Sequence, residues 1–447
     1  MVVLYLSATK GMVIIVKRKI SDMLLAWKNQ PKNRMPLLLY GARQVGKTHI
    51  LREFGQQHYR NTVYVNLEIN KAVSSYFDDN IEPERIIRFL ETESRERIIP
   101  GETMIFLDEV QSCPRALTAL KYFNEQKPEY HIVCAGSLLG IAVNREEFSF
   151  PVGNVDSMTL FPLDFEEYLW AMNEERLCEE ILLSFRENVA LPSALHERAL
   201  DLYRLYLIVG GMPRPTLAFL ESGSLLSVPD VQYRILNDYV ADMAKYATAE
   251  ESAKIRAAYD SLPAQLAKDN KKFQYKIAQR GGTSTIFGSA IDWLHFAGIV
   301  LKCKKIEHGF MPLSVYQDIA SFKLYMNDVG LLTMKSGISQ QAVLASGELE
   351  NTFLGAITEN YVAQAFAAKR YELFYWTTDG QAELDFILQK GNDIIPVEVK
   401  TGKRTKSKSL ILFTEKYKPS YSIRISSKNF GFENNTKSVP LYATFCI

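Results

Sequence analysis

Three short stretches carry residue types that chemistry needs, at spacings chemistry can use. "GARQVGKT", Gly41 to Thr48, fits G-x-x-x-x-G-K-[ST] and stands between the apolar run "PLLLY" and the helical pattern "HILREFG". Gly41 and Gly46 let the backbone of Ala42, Arg43, Gln44 and Val45 curl, so that successive N–H groups and a helix N-terminus surround phosphate oxygens. Lys47 then brings positive charge to the β/γ-phosphates and Thr48 a hydroxyl ligand for Mg2+. "MIFLDE" places Asp108 and Glu109 at the C-terminal end of another apolar run. Asp108 there suits the metal's water shell, and Glu109 suits orienting and polarising an attacking water. Ser137, ending "HIVCAGS", is either a turn residue or a hydroxyl that senses the γ-phosphate.

The third stretch, "DFILQKGNDIIPVEVKTGK", reads as two apolar strands joined by a tight turn. A turn centred on Gly391 and Asn392 sets Asp385 directly across from Glu398, with Lys400 two residues on and on the same face. Two like charges opposed this way call for a cation between them. Two carboxylates holding Mg2+ beside a lysine that steadies or deprotonates a water form a phosphodiester-cleaving arrangement.

The elements that position these residues follow from pattern. A chain of 447 residues exceeds one hydrophobic core, which predicts two to four domains. "PLLLYG", "TVYVNLE", "TMIFLDE" and "YHIVCAGS" lack alternation, as strands buried on both faces of a parallel sheet do. Residues 16 to 30 read as a helix packed on this core, and 165 to 225 as helical, broken by "VGGMPRP". Residues 226 to 335 are again mostly helical, 336 to 348 read as a linker, and the rest runs helix then strands. With 52 basic against 51 acidic residues, no global charge argues for nucleic acid or an anionic membrane. Five dispersed cysteines without CxxC spacing predict a reducing, cytoplasmic setting. No stretch is long and apolar enough to span a bilayer, and the start lacks the basic region of a signal peptide; Met12 is an alternative start. The six histidines form no metal motif.

Taken in order, "LLLYGARQVGKTHIL", "MIFLDEVQ", "CAGSLLG", "FPLDFEEYL" and "GGMPRP" resemble the prokaryotic AAA-superfamily ATPases that carry a C-terminal domain of unknown function. The resemblance covers nearly the whole chain and implies an α/β, ATP-hydrolysing P-loop core (31–165) with a parallel sheet and a helical lid (166–225), in which Arg214 faces the nucleotide. Where the family tends to carry Gly-Arg-Val before "TLFPLDF", this chain has "VGNVD", with Asn154 at the arginine's place. Arg43, Arg115 and Arg214 remain as candidates for a transition-state arginine. An arginine from a neighbouring copy, and hence a homo-oligomer, is compatible with such sites.

"KDNKKFQYKIAQRGGTSTIFGSAIDWLHFAG" resembles that family's winged-helix segment (226–335). Ile286, Ala290, Trp293 and Leu294 form its apolar stripe, while Thr285, Ser289 and Asp292 oppose it and do not suit base readout. Lys268, Lys271, Lys272, Lys276, Lys302, Lys304 and Lys305 flank it, either as phosphate contacts or as a solvated surface. The tail (349–447) resembles a restriction-endonuclease-like α/β domain, the PD-(D/E)XK core, with Asp385, Glu398 and Lys400 matching its motif. Glu359 on the preceding helix stands where such cores often carry a further acid. Cofactors implied are ATP and Mg2+, and the partner is DNA or RNA through the C-terminal half. The alternative is a nucleotide-dependent switch or scaffold whose tail binds a protein and cuts nothing.

Overall fold

The structure is a computed structural model that describes residues 16–136, 153–345, 352–378, 382–401 and 408–447. They form two compact units, one of Lys17–Phe161 with Phe296–Gly298, the other of Pro162–His295 with Ile299–Ile447.

In the first unit, five short strands make one sheet: β1 (Leu37–Tyr40), β2 (Asn61–Asn66), β3 (Thr103–Asp108), β4 (His131–Ala135) and β5 (Asp156–Thr159), in the order β2-β3-β4-β1-β5. Every pairing is parallel. Parallel strands need crossovers, and helices Lys47–His58, Pro83–Ser94 and Pro114–Gln126 supply them. Leu38, Val65, Ile105, Leu107 and Ile132 of the sheet bury against Ile86, Leu90, Leu117 and Phe123 of the helices. β3 and β4 are buried along their whole length, which is why their sequences do not alternate. β5 escapes the sequence reading because "DSMT" is short and half polar. The helix Ile20–Lys28 belongs to this unit, with Trp27 buried and its indole N–H donated to the Met35 carbonyl at 2.9 Å.

The second unit is built on an eight-stranded sheet. Its strands are β6 (Val300–Ile306), β7 (Gln317–Met326), β8 (Phe374–Thr377), β9 (Glu383–Lys390), β10 (Asp393–Val399), β11 (Ser422–Ser426), β12 (Gly431–Glu433) and β13 (Thr436–Pro440), in the order β12-β13-β11-β10-β9-β8-β6-β7. The β6–β7 hairpin, expected within a separate winged-helix-like domain, joins the tail's sheet because β6 pairs in parallel with β8. Residues 336–345 are not a plain linker. They hold the helix Gln340–Leu344, capped by Ser339, with Val343 buried. The segment 166–225 is helical as expected, yet its helices belong to this unit: Tyr206 accepts from Gln364 at 2.8 Å, and Leu191 exchanges two hydrogen bonds with Asn429. On the helix Ser284–Phe296 the buried stripe is Phe287, Ala290, Ile291, Trp293 and Leu294, and Ile286 lies partly exposed outside it.

"VGGMPRP" owes its glycines to close backbone approach. A Cβ on Gly210 would stand 2.3 Å from Asp328 Oδ1, and one on Gly211 2.0 Å from the Leu163 carbonyl oxygen. Asp328 caps the helix Val329–Ser336 through the Leu331 N–H at 2.9 Å and accepts the Gly211 N–H at 2.6 Å. Burial pushes its carboxyl up to about 6 despite these N–H groups. Gly211→Ala is therefore expected to destabilise the chain by about 1–3 kcal/mol through overpacking against backbone. Gly288→Ala, in open space on a helix, is expected to stabilise by about 0.4–1 kcal/mol. Chemical denaturation of both variants checks the contrast, and equal effects would refute the close-approach argument.

Candidate phosphate site and carboxylate–lysine site

The loop 41–46 follows β1 and opens the helix Lys47–His58, whose N-terminus lies at the C-terminal edge of a parallel sheet, where open α/β folds bind ligands. Gly41 has φ 145°, Gln44 66° and Gly46 97°, so the loop curls as the spacing demands. Gly46 caps the helix without a side-chain bond, and the first helical N–H groups have no intrahelical acceptor. Lys47 is buried, and its ammonium donates to the Gly41 and Ala42 carbonyls, each at 2.8 Å. Arg18, which the sequence reading missed, donates to the Val45 carbonyl at 3.3 Å and to the Phe161 carbonyl at 2.6 Å, tying the loop from outside. Its sign in the sequence is only an arginine ahead of a helix.

β4 lies between β1 and β3, and the bond that spans it joins the two halves of the site. Thr48 Oγ1 donates to Asp108 Oδ2 at 2.9 Å, and the Tyr64 hydroxyl donates to the same oxygen at 3.1 Å. A hydroxyl and a buried carboxylate meeting beside a helix N-terminus are a donor set that fits Mg2+ next to a phosphate. Glu109 follows with φ 52°, a left-handed backbone that a non-glycine residue adopts at a cost. Its carboxylate accepts from Gln111 Nε2 at 2.5 Å. Ser137 lies outside the described residues. Arg43 and Arg115 are exposed in this unit, Arg214 is exposed in the other, and Asn154 accepts from Asn124 at 2.9 Å.

In the second unit β9 and β10 pair antiparallel from Asp393↔Lys390 to Val397↔Phe386, the register expected from a turn at Gly391. The ladder stops one step short of Asp385 and Glu398. On its other side β9 carries a bulge: Phe374 pairs with Ile387 and Trp376 with Leu384, so Asp385 and Phe386 share the place opposite Tyr375. Asp385 Oδ2 accepts the Val399 N–H at 2.8 Å. Glu398 is buried, and its Oε1 accepts from the Lys400 ammonium at 2.8 Å. Burial works against charge on Lys400, but Glu398 more than offsets it and raises the pKa, which suits steadying an anion better than accepting a proton.

Glu359 is the further acid, and its charge is already matched. It binds the ammoniums of Lys271 and of Lys323, the latter at 3.0 Å, and the hydroxyl of Tyr325. Against its burial, Lys271 and Lys323 hold its carboxyl well below the usual range. Lys323 also reaches Glu383 at 2.5 Å. Asp385 goes the other way: burial, then the Glu359 charge, push it up to about 7. Among the described residues no three His, Cys, Asp or Glu side chains converge as a metal-binding group. Asp385 and Glu398 still fit Mg2+, which takes one or two carboxylates and keeps several waters, because Glu398 Oε2 is buried without a hydrogen-bond partner.

The lysines expected as phosphate contacts are largely spent on acids. Lys302 pairs with Asp292, Lys304 with Glu372 and Lys305 with Asp318, in addition to Lys271 with Glu359. Two histidines meet tyrosine hydroxyls, His131 with Tyr59 and His196 with Tyr442, and among the described residues no disulfide joins any of the five cysteines. Among the described residues no helix is long and apolar enough to cross a membrane.

Residues 33–169 match a family model described as an AAA domain. Residues 200–342 and 354–444 each match a domain of unknown function, DUF8612 and DUF4143. No curated protein matches. Among solved structures, the chain is similar to the Walker-type ATPase PABY2304 of Pyrococcus abyssi at 14% identity, covering 72% of this chain and 96% of that one, with a TM-score of 0.45. It is also similar to the Aeropyrum pernix ORC1 protein in complex with DNA, at 15% identity over 73% and 93% of the two chains with a TM-score of 0.30. The A. pernix ORC2 protein matches at 11% identity over 78% and 96%, with a TM-score of 0.39. A glycine-rich loop, a paired Thr48 and Asp108 at the edge of a parallel sheet, and the matching family model make residues 33–169 an AAA-type P-loop ATPase domain.

Proposed function

We propose that the chain binds and hydrolyses ATP with Mg2+ and couples this to a nuclease-like site in its C-terminal half that acts on or binds nucleic acid. The Thr48–Asp108 hydrogen bond carries the first part, because it joins the two motifs that a P-loop hydrolase needs at one metal. Thr48 and Asp108 would hold Mg2+ there, and it would supply charge neutralisation for the phosphates. The loop amides and the helix N-terminus hold the phosphate oxygens, and Lys47 exchanges its carbonyl partners for them. Glu109 orients the attacking water, and its left-handed backbone aims the side chain.

At the second site, Asp385 and Glu398 would hold Mg2+, which would supply Lewis-acid charge stabilisation, and Lys400 would steady the phosphodiester charge. Glu359 is the observation that favours the other reading, a switch or scaffold with a silent tail. An acid expected to serve the metal is committed to two lysines instead.

Lys47→Ala is expected to abolish ATP binding, and Glu109→Gln to keep binding while hydrolysis falls about a hundredfold or more, as removal of a catalytic base does. Radiolabelled ATP binding and phosphate release measure the two; unchanged release in either variant sinks the assignment. Incubating plasmid with the full chain and Mg2+ or Mn2+, with and without ATP, separates the readings of the tail. Cleavage lost in Asp385→Ala supports the nuclease, and intact plasmid under every condition supports the scaffold.

The charge on Asp385 also predicts a pH dependence. A carboxyl whose folded pKa is raised from the ordinary value to about 7 keeps a proton that the unfolded chain releases, so its contribution to stability is lost as pH rises towards 7. A divalent ion must displace that proton, so stabilisation by Mn2+ is expected to grow from pH 6 to pH 8. Thermal shifts with and without Mn2+, in wild type and Asp385→Asn, check this, and a pH-independent shift contradicts it.

A further inference from the structure

On the sheet face that presents Glu398, one residue is unaccounted for. β10 and β11 pair in parallel with Glu398 opposite Arg424, so both side chains leave the same face of adjacent strands. Lys400, two residues on from Glu398 and just past the end of β10, binds Glu398 Oε1. Glu398 Oε2 and Arg424 Nε are both buried and both lack a hydrogen-bond partner among the described residues. No ion pair joins Arg424 to any described acid either, although the Glu398 carboxyl group stands one strand away. A buried donor and acceptor left unmade this close together cost the desolvation of both groups.

The ligand that satisfies them must accept a hydrogen bond from a guanidinium and, as a Lewis acid, take a lone pair from a carboxylate oxygen. A divalent cation bound to a phosphodiester is both at once. We propose that Arg424 is a phosphate-positioning residue, whose planar fork holds the non-bridging oxygens of a nucleic-acid phosphate while Glu398 Oε2 takes the cation on that phosphate. Lys400 completes the cationic flank from the other side. The inference rests on the reading of Asp385 and Glu398 as a cation site, and adds the group that would hold the substrate against it.

The test is direct binding by the full chain, followed by fluorescence anisotropy of a short labelled DNA duplex with Mg2+ across a range of salt. Arg424→Gln is expected to weaken binding about tenfold, the loss of one charge-assisted contact. It is also expected to lower the slope of log K against log salt by about 1, because one phosphate contact disappears. Arg424→Lys keeps the charge without the fork, and should retain the salt slope while losing part of the affinity. Equal affinity and slope in wild type and Arg424→Gln overturn the inference alone. A wild-type chain that binds no duplex, or an Asp385→Asn variant whose Mg2+ dependence matches wild type, overturns the underlying reading as well. Should Arg424→Gln lower the melting midpoint, Arg424→Lys decides: a slope falling to the glutamine level refutes the phosphate contact.

Discussion

A lysine with no exposed surface can stay charged only where acids surround it, and Lys323 is such a lysine. Its ammonium lies between Glu359 and Glu383 and 4.8 Å from the centre of the Tyr375 ring. Burial alone would lower its pKa, but the Glu359, Glu383 and Asp385 charges raise it well above the ordinary value. The ammonium thereby ties β7 to the helix Thr352–Ala368 and to β9. The second unit is organised about this knot. With Glu359 already neutralised, Asp385 is the acid left to take up a proton or a cation.

Seen from that knot, what the sequence discloses depends on how far apart partners lie along the chain. The P-loop is legible because all its working atoms come from eight consecutive residues whose glycines must adopt positive φ. The parallel sheet is legible from β1, β3 and β4, which do not alternate, whereas β2 alternates and β5 is half polar. The hairpin register is legible too, because Gly391 turns with φ 58° and the ladder follows the turn. Its last step is not: the bulge at Asp385 is set by pairing with β8, a strand ahead of a separate loop. Glu359 is legible as a further acid on the helix ahead of the hairpin, but its partners are not, since Lys271 and Lys323 lie 88 and 36 residues away. Arg18 stands in the basic run Lys17–Lys19 and Arg424 alone among apolar residues, and only the fold shows what each lies beside.

The two candidate sites handle their charges by opposite means. At the candidate phosphate site Asp108 is buried and receives the Thr48 and Tyr64 hydroxyls and the Glu109 N–H, so both of its oxygens already accept hydrogen bonds. Strain is placed next door, in the Glu109 backbone. In the carboxylate–lysine site Glu398 keeps one oxygen unbonded, and Asp385 leans on a backbone amide. One arrangement is preorganised by hydrogen bonds that a ligand rearranges, the other by bonds left open.

The family models divide the chain between residues 342 and 354, yet the sheet runs across that division through β6 and β8. A fragment cut there keeps β8 as a bare edge whose N–H and C=O groups have lost their partners, the kind of edge along which chains add to one another. The same cut removes Lys323 and Lys271 and strands Glu359 among apolar neighbours without a counter-charge. Insolubility of an isolated tail would thus report the missing strand and the missing ammoniums, and would say nothing about whether its carboxylates bind metal.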